Sequence, residues 1–381
     1  MTIPDRDWPI PRSAYVHVPF CRHRCGYCNF SVIAGREDLI DRFLDAIDRE
    51  LAPLDRPVVD TLYLGGGTPT HLPNDRLARL LEILQRRFRF DDAVEWTSEA
   101  NPEDVDTEKL RVLSEYGVNR ISLGVQSFQT AKLKRFERNH SATQATRAVE
   151  QAAEVIGNVS IDLIFAAPGE TLRDWQADLR TVLDLPVQHL SAYALTFEKG
   201  TPFWNARMHG QIKSVSETTE IKMYESTRHL TAESGMAQYE ISNFALPGFH
   251  SRHNMAYWLG RGWFAAGPGA ARFSEGRREV NHRSTTTYLN RMERGESPVA
   301  ETETLTQRQS ARERAAFGVR MIDGIDLTEI GRDTGVNLWS ECAAEIEQAI
   351  TVGWLERSED RIRLTPSGLL FADAVAAELL P

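Results

Sequence analysis

Between residues 15 and about 234, short apolar runs alternate with longer segments of helical period, and this alternation limits the possible folds more than any other feature. A repeated strand-then-helix pattern is typical of an α/β fold around a parallel sheet. Leu39, Phe43, Leu44 and Ile47 recur at steps of three and four residues, which indicates a helix between the first two strands. Six strands are predicted, at 15–19, 60–64, 94–98, 120–124, 159–163 and 189–195.

The chain divides by pattern into four parts. An arm of residues 1–14 precedes the α/β core, which spans 15–240. Glycine and proline interrupt 241–303, which predicts an irregular connection. Short helices resume at about 304, and 353–364 has the pattern of a hairpin turning at Glu359 and Asp360, so 304–381 is predicted to be a small winged-helix-like domain.

Composition excludes several classes of function. The 381 residues carry a formal charge of -10, which argues against a broad nucleic-acid or anionic membrane surface. Four cysteines without separated pairs do not form a secreted disulfide framework, so we expect reduced thiols and a cytoplasmic protein. No targeting segment and no membrane-spanning run is recognisable. Cys342, among apolar residues, is most simply a small buried side chain.

Three of the cysteines, Cys21, Cys25 and Cys28, lie within eight residues, directly after the first predicted strand. A cubane iron–sulfur cluster normally has four cysteine ligands, so a compact triplet suggests a cluster with one iron open to a small molecule. One alternative is a zinc site completed by His17 or His23 or by the distant cysteine. A redox pair is another, although it leaves Cys21 unexplained.

Further candidates lie near the ends of the later strands, where α/β folds gather their chemistry. Gly65, Gly66 and Gly67 follow the second strand, and they form either a tight turn or a wall that a ligand can approach closely. Polar residues lie at or near the ends of the next three strands. They are Glu99, Gln126, Arg138 and Asp162.

The cysteine loop, the run Gly65-Gly66-Gly67-Thr68-Pro69-Thr70 and the segment Gly124-Val125-Gln126-Ser127-Phe128 together resemble the radical S-adenosylmethionine superfamily. Within it they resemble the branch that contains oxygen-independent coproporphyrinogen III oxidase. The resemblance implies a [4Fe-4S] cluster on the three cysteines, S-adenosylmethionine (SAM) on the fourth iron, and an external electron donor. It also implies SAM contacts from Tyr15, Tyr27, Gly66, Gly67, Thr68, Glu99, Gln126, Arg138 and Asp162.

A second motif, His253-Asn254-Met255-Ala256-Tyr257-Trp258, lies in the predicted connection. It resembles the H-N-x-x-Y-W motif of the haem chaperones in this branch, which implies that haem is bound and that His253 ligates its iron. From residue types alone, a hydrogen-bonded histidine beside packed aromatics is the favoured interpretation, and only the resemblance makes haem ligation comparable with it. The competing ligand candidates nearby are His250, His282 and Met255.

Two features favour the chaperones over the oxidase. Phe30 occupies the position where the oxidase has a further cysteine, and the arm before Cys21 is shorter than the oxidase's. One feature departs from the resemblance, because Ala271 stands where many relatives have histidine.

The resulting hypothesis is a cytoplasmic haem chaperone that passes haem to an acceptor apoprotein. Its expected architecture is a partial (β/α)6 TIM-like radical SAM barrel followed by the small C-terminal domain. The alternatives are oxygen-independent coproporphyrinogen III oxidation and radical SAM chemistry on another substrate.

Overall fold

The structure, a computed structural model, describes residues 8–380. The first seven residues of the predicted 1–14 arm and the last residue of the predicted C-terminal domain lie outside the described residues. The strands are β1 (Ser13–Val18), β2 (Phe20–Cys21), β3 (Ile33–Ala34), β4 (Val58–Gly66), β5 (Arg89–Ala100), β6 (Arg120–Gln126), β7 (Val159–Phe165), β8 (His189–Ala194), β9 (Ala237–Glu240), β10 (Asn243–Ala245), β11 (Trp263–Ala266), β12 (Ala271–Ser274), β13 (Arg277–Asn281), β14 (Val299–Thr304), β15 (Ile325–Asp326), β16 (Leu355–Ser358) and β17 (Arg361–Leu364).

The helices follow the same chain order, with short 3-10 turns between some of them. They are α1 (Ile40–Leu51), α2 (Asn74–Arg87), α3 (Thr107–Glu115), α4 (Thr130–Arg135), α5 (Ala142–Val155), α6 (Leu172–Leu183), α7 (Pro202–Met208), α8 (Glu217–Glu233), α9 (Arg252–Trp258), α10 (Thr285–Glu293), α11 (Gln307–Gly318), α12 (Leu327–Thr334), α13 (Leu338–Glu341), α14 (Ala343–Val352) and α15 (Ala372–Leu379).

The six predicted strands are present as β1, β4, β5, β6, β7 and β8, and they pair in that order, all parallel. The α/β class is therefore confirmed. The parallel set does not close on itself, because β1 pairs on its other side with β11 and β8 with β10. Helices alternate with these strands along the chain. They form the crossover connections that consecutive parallel strands need.

Helices of the α/β core bury one face against the sheet. In α1, Phe43, Leu44 and Ile47 are fully buried, and their spacing of three and four residues is the pattern that predicted this helix. Side-chain caps fix where several helices begin. Ser141 opens α5 and Thr171 opens α6, each in a capping box that satisfies the first free N–H groups of its helix.

The structure differs from the irregular connection predicted over 241–303. This region contains β11 to β14, which extend the sheet beyond β1, and the helices α9 and α10. Its glycines serve close packing as well as turns. A Cβ on Gly267, which has φ of +106°, would lie 2.4 Å from the His17 carbonyl oxygen, so the chain can pass β1 here only without a side chain.

The C-terminal residues have a hydrophobic core of their own, formed by α11 to α15 and the three-stranded sheet β15-β17-β16. The predicted hairpin is present as β16 and β17, with Glu359 in a left-handed conformation at its turn. Cys342 is 1% exposed within this core, as predicted. Among the described residues, no helix has both the length and the apolar character needed to cross a bilayer.

Candidate functional site

A cavity of about 470 Å³ opens where the parallel strands end. We call it the strand-end cavity. Gly66, Ala100, Gln126, Ile164 and Ala194, each at or within one residue of the carboxyl end of a different strand, contribute to its wall. The cavity brings together most of the predicted site residues, namely Cys21, Cys25, Cys28, Tyr27, Gly66, Gly67, Thr68, Glu99, Gln126, Arg138 and Asp162.

Backbone pairing and a small aromatic cluster position the cysteine loop. β2, which ends at Cys21, pairs in parallel with β3 on the far side of the loop. The Tyr27 ring packs against Phe136 and Phe203, with ring centroids 5.2 Å and 6.1 Å away. The Phe203 N–H also donates to the Gly26 carbonyl over 3.0 Å. These contacts hold the loop at both ends, so the three thiols share one cavity wall.

The glycine run packs against the same loop. The Gly67 N–H donates to the Val18 carbonyl over 2.8 Å, and a Cβ on Gly67 would lie 2.6 Å from that oxygen. Gly66 has φ of +102°, and a Cβ there would lie 2.3 Å from the His17 ring. Packing thus requires glycine at both positions, whatever the cavity binds.

Two buried carboxyl groups face the cavity. Glu99 accepts hydrogen bonds from the Tyr63 hydroxyl at 2.9 Å and from the Gly66 N–H at 3.0 Å. Burial, and next the negative charge of Asp162, raise the pKa of Glu99 to about 7. Burial likewise raises the pKa of Asp162, although hydrogen bonds from Ser191 and Ser122 oppose the shift. Ionised carboxylates here favour a ligand that carries positive charge.

Arg138, which also lines the cavity, is tied to the cysteine loop through two polar side chains. Its Nη2 donates to Asn101 Oδ1 over 2.5 Å, and Asn101 Nδ2 donates to Thr68 Oγ1 over 2.8 Å. Thr68 Oγ1 in turn lies 3.6 Å from Cys21 Sγ. Among the described residues, Arg138 Nε has no hydrogen-bond partner although it is buried. A buried donor without a partner suits a ligand that carries an acceptor such as a carboxylate.

The donor set of the loop fits a cluster. Burial raises the pKa of the Cys21 thiol to about 12, and it also raises the pKa of the Cys28 thiol, so a bound cation has to stabilise their thiolate forms. Within residues 8–380, no three Cys, His, Asp or Glu side chains converge closely enough to hold a single metal ion. A cubane binds each thiolate on a separate iron, so three spaced thiols suit a cluster better than the zinc alternative.

Gln126 lines the cavity with an unusual backbone conformation. Its φ is +65°, and Ala166, just beyond the neighbouring strand, has φ of +62°. Non-glycine residues rarely adopt this region, and they do so mostly where the surrounding structure imposes it at a functional site.

Two predicted residues do not line the strand-end cavity. The Tyr15 hydroxyl lies 3.0 Å from His17 Nδ1, beneath the wall. His253 is 1% exposed, and both its ring nitrogens are occupied, Nδ1 by Thr61 Oγ1 and Nε2 by Tyr257 Oη, each at 2.9 Å. Ligation of haem iron by His253 would therefore require one of these buried hydrogen bonds to be exchanged, and its role as an axial haem ligand stays a prediction.

Sequence reasoning missed several residues of the cavity. Tyr63 and Asn101 form hydrogen bonds with the predicted residues Glu99 and Arg138 respectively. Tyr63 lies near the end of β4, and Asn101 directly follows β5. The inner end also contains Arg120 and His189, which are buried and face the interior of the parallel sheet. Both are within strands predicted as apolar, so no pattern distinguished them.

Family models match two parts of the chain. The model for the radical SAM superfamily matches residues 15–182, which contain the cysteine loop and the strands through β7. The model for the HemN C-terminal domain matches residues 305–371. The first match contains the cysteine loop and most of the cavity wall, and the second contains most of the separate C-terminal core.

Curated relatives match over nearly the full length. A protein named heme chaperone HemW from Bacillus subtilis is 33% identical over 97% of this chain and 99% of its own. One of the same name from Mycobacterium tuberculosis is 36% identical over 97% of this chain and 95% of its own. In fold, the chain is similar to coproporphyrinogen III oxidase (HemN) from Escherichia coli, with a TM-score of 0.85 and 23% identity over 99% of this chain and 90% of that chain.

Proposed function

The chain belongs to the HemW family of radical SAM proteins, and on that premise we propose that it is a cytoplasmic haem chaperone, which binds haem and transfers it to an acceptor apoprotein. The observation that carries the cofactor part is the strand-end cavity, in which three thiols meet two carboxyl groups and an arginine. The haem part rests on the full-length similarity to relatives named heme chaperones.

In this proposal Cys21, Cys25 and Cys28 hold a [4Fe-4S] cluster, and SAM occupies the rest of the strand-end cavity. A bound cluster supplies single electrons that an external donor replenishes. Arg138, with its free Nε, binds the carboxylate of SAM, and Glu99 lies opposite as an acceptor and negative charge. The buried wall keeps water from this pair of charges.

Phe30 supports the chaperone over the oxidase alternative. It lies at the cavity rim and its side chain is 63% exposed, in the position where the oxidase has a further cysteine. An exposed aromatic ring beside the cluster provides a contact for a partner rather than a ligand for iron. The cavity itself, at about 470 Å³, is of ordinary size for one small-molecule ligand.

The affinity of the reconstituted protein for SAM is expected to rise about tenfold between pH 6 and pH 8, because Glu99 has a pKa of about 7 and ionises across this range. Below pH 7 its carboxyl group is mostly neutral and loses its attraction for the sulfonium. Above pH 7 the carboxylate is present. Equilibrium binding measured at fixed ionic strength gives the profile.

Glu99→Gln is the control for this profile, since the amide keeps an acceptor for the Tyr63 hydroxyl but carries no charge. It should bind SAM weakly at every pH, with a flat profile. S-adenosylhomocysteine, which lacks the sulfonium charge, should also show a flatter profile on the unaltered protein. Parallel profiles for the Gln variant and the unaltered protein would show that another group titrates.

Incubation of the reconstituted protein with reductant, SAM and coproporphyrinogen III separates the chaperone from the oxidase. We expect no decarboxylated product beyond about one equivalent per chain, whereas an enzyme turns over many times. In a parallel reaction, haem-loaded protein mixed with a haem-free acceptor apoprotein should lose its Soret absorbance to the acceptor. Protein and acceptor are separated by size before the spectra are recorded.

Multiple turnovers of decarboxylation would establish the oxidase alternative and overturn the proposal. Failure to bind haem would also overturn it, whatever the cluster does. A variant in which Cys21, Cys25 and Cys28 are replaced by alanine is the control for any product formed. Product that persists without the cluster has another source.

A further inference from the structure

An open cleft of about 470 Å³ lies beside the cysteine loop, between that loop, α4 and the start of α5. We call it the side cleft. Apart from Leu133, the described residues that line it are polar, and they include His23 of the loop and Lys134 of α4. The side cleft is thus a second, more polar approach to the loop that carries the three thiols.

His23 and Arg138 form a shared wall between the side cleft and the strand-end cavity, since both residues line both spaces. Arg138 Nη1 lies 3.9 Å from Cys25 Sγ. His23 Nε2 lies 2.9 Å from Glu137 Oε2, a contact that holds the loop against the residues just after α4. A redox group seated in the side cleft is therefore separated from a cluster on the thiols by one layer of side chains.

Exposed cations without anionic partners surround this approach. Arg24 belongs to the cysteine loop, and Lys134 and Arg135 are the last two residues of α4. All three are exposed, and in the described part of the chain none of them forms an ion pair with a carboxylate. Arg22, in the same loop, differs in that it pairs with Asp104 at 2.8 Å. Three unpaired cations leave a local excess of positive charge beside the thiols.

The lining of the side cleft does not cancel this charge. Among the described residues that line it, Glu137 is the only acidic one, and its Oε2 is already in contact with His23. The chain as a whole carries a formal charge of -10. A local positive surface on an acidic protein attracts an acidic partner in one orientation, because the rest of the surface repels it.

We propose that the side cleft is the docking site for the protein that delivers electrons to the cluster, and that this partner is a small acidic redox protein. The inference rests on the proposed function, in which an external donor replenishes the electrons of the cluster, and it names the surface and the chemistry of that donor. Acidic side chains of the donor pair with Arg24, Lys134 and Arg135, and its redox group faces the shared wall. One electron then passes from the reduced group of the donor to the oxidised cluster, and no proton or chemical group moves with it.

Equilibrium binding of an acidic plant-type [2Fe–2S] ferredoxin to the reconstituted protein tests this surface. Both proteins are kept oxidised, so that no electron moves and only docking is measured. We expect Lys134→Glu and Arg135→Glu each to weaken binding about tenfold, because each reverses a charge that faces the donor. The difference should shrink when the ionic strength rises from about 0.02 M to about 0.5 M, since exposed charges are then screened. Fluorescence anisotropy of labelled ferredoxin gives the dissociation constants.

Lys222→Glu is the matched control. Lys222 is an exposed lysine of α8, it lines neither the side cleft nor the strand-end cavity, and among the described residues it forms no ion pair. This variant should bind ferredoxin as the unaltered protein does. Iron content and visible absorption show that the cluster is intact in every variant.

Electron transfer is the second readout. Reduction of the cluster by reduced ferredoxin should slow about tenfold in the two cleft variants at low ionic strength. Reduction by photoreduced deazaflavin, a small molecule that needs no docking surface, should proceed at the same rate in all the proteins.

Equal ferredoxin affinity in the unaltered protein, both cleft variants and Lys222→Glu would overturn the docking site. Failure of the unaltered protein to accept electrons from reduced ferredoxin would overturn it as well. If the cleft variants bind ferredoxin normally but no longer transfer haem, the haem acceptor uses this surface, so the chaperone function stands and this inference is wrong. If no cluster forms in the unaltered protein, the cofactor part of the proposed function and this inference fail together.

Discussion

Replacement of Cys21, Cys25 and Cys28 by alanine is expected to lower the iron bound after anaerobic reconstitution from about four atoms per chain to background. The three thiols are on one wall of the strand-end cavity, and no other cysteine lies near it. Thiolates are the ligands that a cubane requires, so no partial cluster should survive. Iron and sulfide analysis, with the visible absorption of the cluster, gives the measurement.

Cys342→Ala is the matched control for the triple variant. Cys342 is 1% exposed in the separate C-terminal core and does not line the cavity, so its removal should leave the iron content unchanged. Iron retained by the triple variant would place the cluster elsewhere. Zinc at one equivalent per chain in the unaltered protein, without iron, would favour the zinc alternative.

The same triple variant also tests the SAM site. It should lose SAM binding, because SAM is assigned to the open iron and the wall of the strand-end cavity beside it.

Most of the α/β core follows from short-range pattern. Each central strand contains buried apolar residues because helices cover the sheet, and Leu62, Leu123 and Ile161 are fully buried as their runs indicate. The polar residues of the cavity were predictable because a polar side chain that lies within or at the end of a buried strand has to face a cavity or a polar partner. Glu99 and Asp162 illustrate this, and both line the strand-end cavity.

The extension of the sheet over 263–304 was not predictable in this way. Its strands are short, β11 to β13 are only partly buried and β14 has no buried residue, so they lack the continuous apolar run that marks a central strand. The glycines here resemble loop residues in sequence. At Gly262, however, a Cβ would lie 2.9 Å from the Phe273 carbonyl oxygen, so the need for glycine arises from packing against β12 and not from a turn.

His253 shows a different limit. A histidine beside tyrosine and tryptophan is compatible with haem ligation and with packing, and the sequence does not show which groups the two ring nitrogens contact. One of those partners is Thr61, 192 residues away, which no local pattern reveals. The other partner, Tyr257, could have been predicted from the sequence, because it lies four residues after His253 and is therefore adjacent to it on one helix face.

A buried ion cluster connects the two loops that carry the left-handed residues Gln126 and Ala166. Lys132, at the centre, is 5% exposed and pairs with Glu170 and Asp178, whose side chains are 2% and 0% exposed. Asp178 also accepts from the Ser127 hydroxyl at 2.7 Å and the Phe128 N–H at 2.9 Å. Glu170 accepts from the Ala167 N–H at 2.9 Å, beyond the next strand.

Lys132→Met is expected to lower the free energy of unfolding by about 3–5 kcal/mol, because it leaves two buried carboxylates without their cation. Burial already raises the pKa of Glu170, and Lys132 opposes that shift, so its loss raises the pKa further. Raised folded-state pKa values make stability fall as pH rises, so the deficit should be larger at pH 8 than at pH 5. Denaturant unfolding at both pH values gives the measurement.

Lys134→Met is the matched control, since it makes the same substitution at an exposed position of the same short helix. It should change stability little at either pH.

The ion cluster also holds the loop that follows β6, so Lys132→Met should weaken SAM binding by the reconstituted protein in addition to lowering its stability. A stable Lys132→Met protein with unchanged stability at pH 8 would mean that the cluster is dispensable, and that packing alone keeps Gln126 in its strained conformation.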